Sequence, residues 1–166
     1  MEFKEVSEVN SIVVYASRHG NTEKIAFAIA AGLRPLGSVQ VLEIAKAPKV
    51  IPEEVQLIVL GGPTEAHRMT PAIVDYLDRL GDVSGKSAAA FDTRLRWPRW
   101  LSGSAGAGIA ERLRRGGATM VTGPESFFVT GKEPVLEPGE LERAEGWARS
   151  LTDRAVVVGS PATVAQ

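Results

Sequence analysis

Short apolar runs alternate along this chain with longer stretches in which apolar residues recur every three or four positions. The runs are rich in β-branched residues and are bounded by Gly, Pro or Asn, which is typical of strands buried on both faces of a sheet. The longer stretches have the spacing of amphipathic helices that cover such a sheet. The predicted strands are residues 12–16, 39–44, 55–60, 87–91 and a fifth strand, 118–121 with 127–130, that is broken at Gly123-Pro124.

Four helices are predicted between and after these strands. The first has Asn21 or Thr22 as its N-cap, and the second has Thr70 at its N-cap and Pro71 at its first position. The third follows a stretch rich in Gly, Ser and Ala, and the fourth begins at Pro138. This alternation predicts an α/β fold: a three-layer sandwich with a doubly wound, five-stranded parallel sheet.

No linker or shift in composition divides the chain, so we predict one domain over residues 1–153 with its core at 11–153. Residues 154–166 are predicted to be a loosely ordered tail. Residues 1–10 have no apolar centre like that of a signal peptide and are interpreted as a lead-in. The apolar runs are shorter than the ~18 residues of a membrane helix, so no membrane association is expected.

Composition narrows the possible functions further. Hydrophobic residues make up 44% and charged residues 23% of the 166 positions, which is typical of a globular domain. The net charge of −1 argues against a dedicated nucleic-acid binder, which needs a basic excess. Cysteine is absent, which excludes thiol catalysis and Cys-ligated metals. Any redox chemistry therefore needs a bound organic cofactor, and a cytoplasmic location is expected.

The loop after the first strand, Ser17–Thr22, is the strongest candidate binding site. In an open α/β sheet, ligands bind at the carboxyl ends of the strands, where the strand order reverses. A phosphate here would meet backbone N–H groups and the positive end of a helix dipole. Gly20 permits close approach, and Ser17, Asn21 and Thr22 carry short polar side chains. A polar loop with a good N-cap and no ligand explains the six residues equally well.

With this loop the sequence resembles the flavodoxin-like family, whose Thr/Ser-x-Thr-Gly-x-Thr loop holds the FMN phosphate directly after strand one. Ser17, Gly20, Asn21 and Thr22 match that loop, and residues 61–64 (Gly-Gly-Pro-Thr) are similar to the family's second flavin-binding loop. The resemblance covers roughly residues 11–153. It implies the strand order 2-1-3-4-5 with FMN at the switch point.

The sequence departs from the family pattern in all three loops. His19 stands where the family has Thr or Ser, and an imidazole N–H can replace that hydroxyl donor. The second loop offers His67 and Met69 in place of the usual aromatic residue. The third loop, residues 92–100, offers Trp97 and Trp100 to lie against the flavin ring. For either tryptophan, hydrophobic plugging or a protein interface is the alternative.

The resemblance thus implies cofactor-binding residues, but no catalytic and no metal-binding residue. The implied residues are Ser17, Arg18, His19, Gly20, Asn21 and Thr22 for the phosphate, and Pro63, Thr64, His67, Asp92, Thr93, Arg94, Trp97 and Trp100 for the ring.

Charge is unevenly distributed along the chain. Residues 94–115 hold six arginines against one acidic residue, whereas five glutamates lie within residues 133–145. Arg94, Arg96 and Arg99 belong to the proposed third loop. A cation beside the flavin stabilises its negatively charged reduced form, so we predict a higher reduction potential than that of an ordinary flavodoxin.

Three functions remain open at this point. The first is an FMN-binding redox protein that carries electrons between partner proteins, and the second is an NAD(P)H-dependent FMN or quinone reductase. The third is a flavin-free interaction or regulatory module on the same fold. The expected partner is a redox protein or a small-molecule acceptor, with no nucleic acid and no membrane, and the protein is expected to be a monomer or a homodimer.

Overall fold

A computed structural model describes residues 8–159 of the protein, with side chains described as far as residue 155. The predicted strands and helices occur in the predicted order, with one additional short helix and one additional short strand. The strands are β1 (Ser11–Tyr15), β2 (Val39–Glu43), β3 (Leu57–Pro63), β4 (Ser87–Leu95), β5 (Thr119–Met120), β6 (Glu125–Thr130) and β7 (Val135–Leu136). The helices are α1 (Asn21–Leu33), α2 (Pro71–Arg79), α3 (Arg99–Ser102), α4 (Ala105–Arg115) and α5 (Glu140–Gly159).

One mostly parallel sheet forms the centre of the molecule. Its order is β2-β1-β3-β4-β6-β7, and β5 pairs with the start of β4. The predicted order 2-1-3-4-5 is confirmed, because β5 and β6 are the two halves of the broken fifth strand and both run parallel to β4. Strand β7 was not predicted. It pairs antiparallel with β6 through only two residues, Val135 and Leu136, which is too short for a readable alternation.

Helices cover both faces of the sheet, as the predicted three-layer sandwich requires. Successive strand residues point to opposite faces. Val13 and Phe91 therefore pack with α1 and α5, whereas Ile12 and Ala90 pack with α2 and α4. All four side chains are fully buried. The small side chains of β4 let helices approach the sheet closely on the second face.

Two central strands are longer than predicted. Residues 61–63 continue β3 and pair with residues 91–93, and residues 91–95 of β4 pair with β6. The prediction that Asp92, Thr93 and Arg94 begin a loop is therefore wrong. Glycine and proline suggested a turn at the end of β3, but backbone pairing on both sides keeps this segment extended.

The helix ends also differ in places from the prediction. The N-cap of α1 is Gly20 rather than Asn21 or Thr22, whereas Thr70 and Pro71 begin α2 as predicted. Helix α5 continues to Gly159, past the predicted domain boundary at residue 153. Residues 1–7 of the predicted lead-in and 160–166 of the predicted tail lie outside the described residues. Among the described helices, none is long and apolar enough to cross a bilayer.

Arg143 connects α5 to the edge of the sheet. Its guanidinium donates to both carboxylate oxygens of Glu140, at 2.9 and 2.7 Å, and to the Glu125 carboxylate at 2.7 Å. It also donates to the Ser126 carbonyl and lies 4.5 Å from the centre of the Phe127 ring. The Glu140 carboxylate is almost fully buried. This cluster therefore anchors the last helix against β6.

Candidate functional site

The carboxyl ends of β1, β3 and β4 surround a cavity of about 240 Å³. The loop between β1 and α1 forms one side, the segment after β3 forms another, and the turn between β6 and β7 closes a third. The lining residues are Arg18, His19, Asn21, Thr22, Pro63, Thr64, Glu65, Thr93, Arg94, Leu95, Val129, Gly131 and Pro134.

The loop between β1 and α1 presents free backbone donors at the start of a helix. The Ser17 hydroxyl accepts hydrogen bonds from the N–H groups of Gly20 at 3.1 Å and Glu23 at 3.4 Å. Gly20 has a φ of 87°, which turns the chain into α1. Within the described chain, the N–H groups of Asn21 and Thr22 have no acceptor. Such first-turn donors, at the positive end of the helix dipole, favour an anion.

Two side-chain contacts hold this loop in place. The hydroxyl groups of Thr22 and Thr93 lie 2.8 Å apart and are buried, so they connect α1 to the end of β4. The side-chain amide of Asn21 donates to the carbonyl oxygen of Pro134 at 2.7 Å. The turn between β6 and β7 is therefore attached directly to the loop that precedes α1.

The segment after β3 is a tight turn whose first residue, Thr64, is held by two hydrogen bonds. The Thr64 N–H donates to the Thr93 carbonyl, and the Thr64 hydroxyl accepts from the Ala105 N–H, both at 2.9 Å. Ala66 and His67 have φ angles of 46° and 70°, which are unusual for residues with side chains. An exposed ion pair of 3.0 Å connects Glu65 of this turn to Arg18 of the first loop.

The buried side chains of Asp92 and Arg94 hold the third loop in place through hydrogen bonds. Asp92 is fully buried, and its Oδ2 accepts from the Ser104 hydroxyl at 2.6 Å and from the Gly106 N–H at 2.9 Å. The Arg94 guanidinium donates to the Ser126 hydroxyl at 2.8 Å and to the Trp97 carbonyl at 2.6 Å. Burial lowers the pKa of Arg94, and the negative charge of Asp92 opposes this effect. The two side chains stabilise the start of α4 and the loop before it.

Four side chains of the third loop, those of Arg96, Trp97, Arg99 and Trp100, do not line the cavity. Trp97 and Trp100 are 54% and 85% exposed, and neither lines the cavity. Arg96 forms an ion pair of 2.6 Å with Glu137, and Arg99 donates to the Pro124 carbonyl at 3.2 Å. The ring-covering role of the tryptophans and the raised reduction potential stay predictions.

The structure brings together most, but not all, of the predicted site residues. Eight of them line the cavity: Arg18, His19, Asn21, Thr22, Pro63, Thr64, Thr93 and Arg94. Ser17 and Gly20 shape the first loop without lining the cavity, and His67, Asp92, Trp97 and Trp100 lie outside the lining. Lining residues that are not among the named predictions are Glu65, Leu95, Val129, Gly131 and Pro134. For Val129, Gly131 and Pro134 the one indication in the sequence was Gly131, which predicts a turn between two short apolar runs.

Gly20 gives a direct test of the loop geometry. Replacing Gly20 with alanine is expected to lower the free energy of unfolding by about 1–2 kcal/mol, because a side chain disfavours the left-handed conformation. An added Cβ meets no atom within 4 Å, so the cost comes from the backbone alone. Urea denaturation measures it.

Gly123 supplies the matched control for this substitution. It also has no atom within 4 Å of an added Cβ, but its φ lies outside the left-handed range. Gly123→Ala is expected to change stability by less than about 0.5 kcal/mol. Equal effects of the two substitutions would contradict the described conformation of Gly20.

Comparison with known proteins agrees with this architecture. The sequence profile of a family described as "Flavodoxin domain" matches residues 12–96. Oxidised flavodoxin 1 from Bacillus cereus is similar to the chain at 25% identity, with a TM-score of 0.73 over 87% of this chain and 97% of that one. A flavodoxin from the domain Archaea is similar at 24% identity, with a TM-score of 0.69 over 89% and 99% of the two chains.

A larger protein contains the same fold as a part. The rubredoxin oxygen:oxidoreductase from Desulfovibrio gigas is similar at 17% identity with a TM-score of 0.72. The match covers 93% of this chain but 38% of that one. At this identity the likeness shows the fold alone.

Proposed function

This chain belongs to the flavodoxin family, whose profile covers just over half of it, and from that premise we propose that it carries electrons between partner proteins. FMN is the cofactor of the family. When bound, FMN supplies the electron transfer, while the protein supplies position and electrostatics. The residues around the cavity are therefore assigned to binding rather than to catalysis.

The first loop is the observation that carries this proposal. Its free N–H groups at Asn21 and Thr22 and the α1 dipole suit a phosphate dianion, as do the nearby side chains of Arg18 and His19. Each charge-assisted hydrogen bond contributes roughly 1.5–3 kcal/mol. Two or three of them are enough to orient the phosphate of FMN at this end of the cavity.

The remainder of the cavity fits the less polar part of the same ligand. Pro63, Leu95 and Val129 provide apolar lining, and Thr64 and Thr93 add polar groups at its edge. Its volume of about 240 Å³ lies below the roughly 300–1,000 Å³ of pockets that enclose a whole ligand. A bound flavin would therefore keep part of its ring at the surface, where a partner protein can exchange electrons with it.

No residue is assigned to proton transfer or metal binding. Among the described residues, no group of three or more His, Asp or Glu side chains is arranged to hold a metal ion. The titratable side chains at the cavity are Arg18, His19, Glu65 and Arg94, and Arg18 and Glu65 are paired with each other.

Anaerobic reduction experiments separate the carrier from a reductase. With FMN bound, NADPH alone is expected to leave the flavin absorbance unchanged over minutes. Photochemical reduction with deazaflavin, followed by oxidised rubredoxin as acceptor, is expected to return the absorbance of the oxidised flavin. Rapid bleaching by NADPH alone would overturn the carrier proposal in favour of the reductase.

A further inference from the structure

Three large apolar side chains are exposed at the end of the third loop and on α3. Trp97, Trp100 and Leu101 are 54%, 85% and 44% exposed, and they lie on and just before α3. We call these three residues the tryptophan patch. Of the other large exposed apolar side chains among the described residues, Phe27 and Leu141 line a separate shallow cavity between α1 and α5, and Val50 and Val135 belong to two other segments. A cluster of this kind, rich in Trp and Arg, is typical of the centre of a protein interface.

The backbone beneath the tryptophan patch is well supported. The carbonyl of Trp97 accepts from the buried Arg94 guanidinium, and the Leu101 N–H donates to the Pro98 carbonyl at 2.9 Å. Gly103, with a φ of 71°, packs so closely against His67 that an added Cβ would lie 2.1 Å from the His67 carbonyl oxygen. The exposed side chains therefore project from a fixed base, which reduces the entropic cost of binding a partner.

The tryptophan patch adjoins the candidate flavin site. The Trp97 N–H donates to the carbonyl of Leu95 at 2.8 Å, and Leu95 lines the cavity. A protein seated on the patch would place its own redox centre next to the cavity mouth.

The charge around the tryptophan patch favours an acidic partner. Residues 93–110 contain no Asp or Glu and three arginines, of which Arg94 is buried and Arg96 is paired with Glu137. Arg99 belongs to α3, and Arg68 is exposed on the turn that packs against Gly103; neither has a carboxylate partner among the described residues. Opposite charges around an apolar centre steer association and set the orientation of two proteins.

We propose that the tryptophan patch docks a redox partner whose contact face has acidic residues around an apolar centre. This inference rests on the proposed function, because electron exchange requires that the partner sit beside the flavin. It specifies the charge and the apolar character of the partner's contact face, which the cavity alone does not specify.

Indole N–H signals of the ¹⁵N-labelled, FMN-loaded protein test this proposal. Zinc-substituted rubredoxin is the acidic probe, and reduced cytochrome c is the basic probe. Rubredoxin is expected to shift the Trp97 and Trp100 signals and to leave unchanged that of Trp147, which packs on Phe91 and Phe127. Added salt is expected to weaken the binding.

A matched pair of variants locates the contact. Leu101→Asp is expected to weaken rubredoxin binding at least tenfold, because it adds a negative charge within the patch. Val50→Asp also places a negative charge at an exposed apolar side chain, but outside the tryptophan patch. Val50 lies between β2 and β3, next to Gly81, and this variant is expected to have no effect. Tighter binding of cytochrome c, the absence of any shift with rubredoxin, or equal effects of the two variants would overturn the proposal.

The same signals distinguish the other outcomes. If Trp97 and Trp100 shift with rising concentration of the protein alone, the occupant is a second copy and the proposed partner is wrong. If the protein does not bind FMN, the proposed function fails. The titration with rubredoxin needs no flavin and still decides whether the tryptophan patch binds an acidic surface.

Discussion

Replacing Arg143 with methionine is expected to lower the free energy of unfolding by about 3 kcal/mol near neutral pH. The substitution leaves the Glu140 carboxylate buried, with only the Phe128 N–H at 2.8 Å as a partner. It also removes the links from α5 to Glu125 and to the Ser126 carbonyl. The Arg143 side chain is 37% exposed, so the loss is placed at the lower end of the range for buried ion pairs.

The pH dependence of this loss identifies its cause. Burial raises the pKa of Glu140, but the hydrogen bonds from Arg143 and the Phe128 N–H, together with the charges of Arg143 and Arg96, outweigh it, so the folded pKa lies below the ordinary 4.5. The ionised carboxylate therefore stabilises the wild-type fold above that value, and the stabilisation is lost as the pH falls through the folded pKa. Without Arg143, only the Phe128 N–H and the charge of Arg96 still oppose the effect of burial, so the pKa of Glu140 is expected to be higher than in the wild type. The difference between variant and wild type is thus expected to shrink from about pH 7 to about pH 4.

Two further variants distinguish the loss of the buried Arg143–Glu140 ion pair from a general effect of removing a positive charge. Arg149→Met breaks an exposed pair with Glu145 on the same helix, and its cost is expected to stay below about 1 kcal/mol. Adding Glu140→Gln to Arg143→Met is expected to recover part of the lost stability. Urea denaturation across pH measures all three variants. A pH-independent loss in Arg143→Met would contradict the assigned role of Glu140.

Replacing Ser17 with aspartate is expected to weaken FMN binding about 100-fold. The aspartate can accept the N–H groups of Gly20 and Glu23 as the serine does, so the loop keeps its conformation. Its negative charge at the start of α1 favours the fold slightly. The same charge opposes a phosphate dianion bound to the free N–H groups of the loop. Fluorescence titration with FMN measures the effect.

Riboflavin and a second serine serve as controls for this variant. Riboflavin has no phosphate, so its affinity is expected to be the same for Ser17→Asp and the wild type. Ser150→Asp places the same charge on an exposed residue of α5, outside the cavity lining, and is expected to leave FMN affinity unchanged. An unchanged FMN affinity in Ser17→Asp would contradict a phosphate site in this loop.

The helices and strands whose formation depends on neighbouring residues were predictable from the sequence. The run at residues 12–16 identifies β1, and Thr70-Pro71 identifies the start of α2, because each depends on neighbouring residues. The break at Gly123-Pro124 likewise placed both halves of the fifth strand. The first loop was recognisable for the same reason, since a strand, a glycine turn and a helix start follow each other directly.

Features that depend on distant residues were not predictable. Arg96 and Glu137 are 41 positions apart, and nothing in their spacing shows that the arginine-rich loop and the glutamate-rich segment meet. Their contact partly neutralises the uneven charge seen along the chain. Similarly, Asn21 reaches Pro134 only because the hairpin of β6 and β7 folds back over the first loop.

Titration of the purified, flavin-free protein with FMN and with riboflavin tests the central claim most directly. The loop at Ser17–Thr22 predicts that FMN binds at least about 100-fold more tightly than riboflavin, since two charge-assisted hydrogen bonds are worth about 3 kcal/mol or more. Binding of FMN below micromolar concentration, with much weaker binding of riboflavin, is the predicted result. No response to micromolar FMN, or equal affinity for the two flavins, would contradict a phosphate-anchored flavin site in this protein.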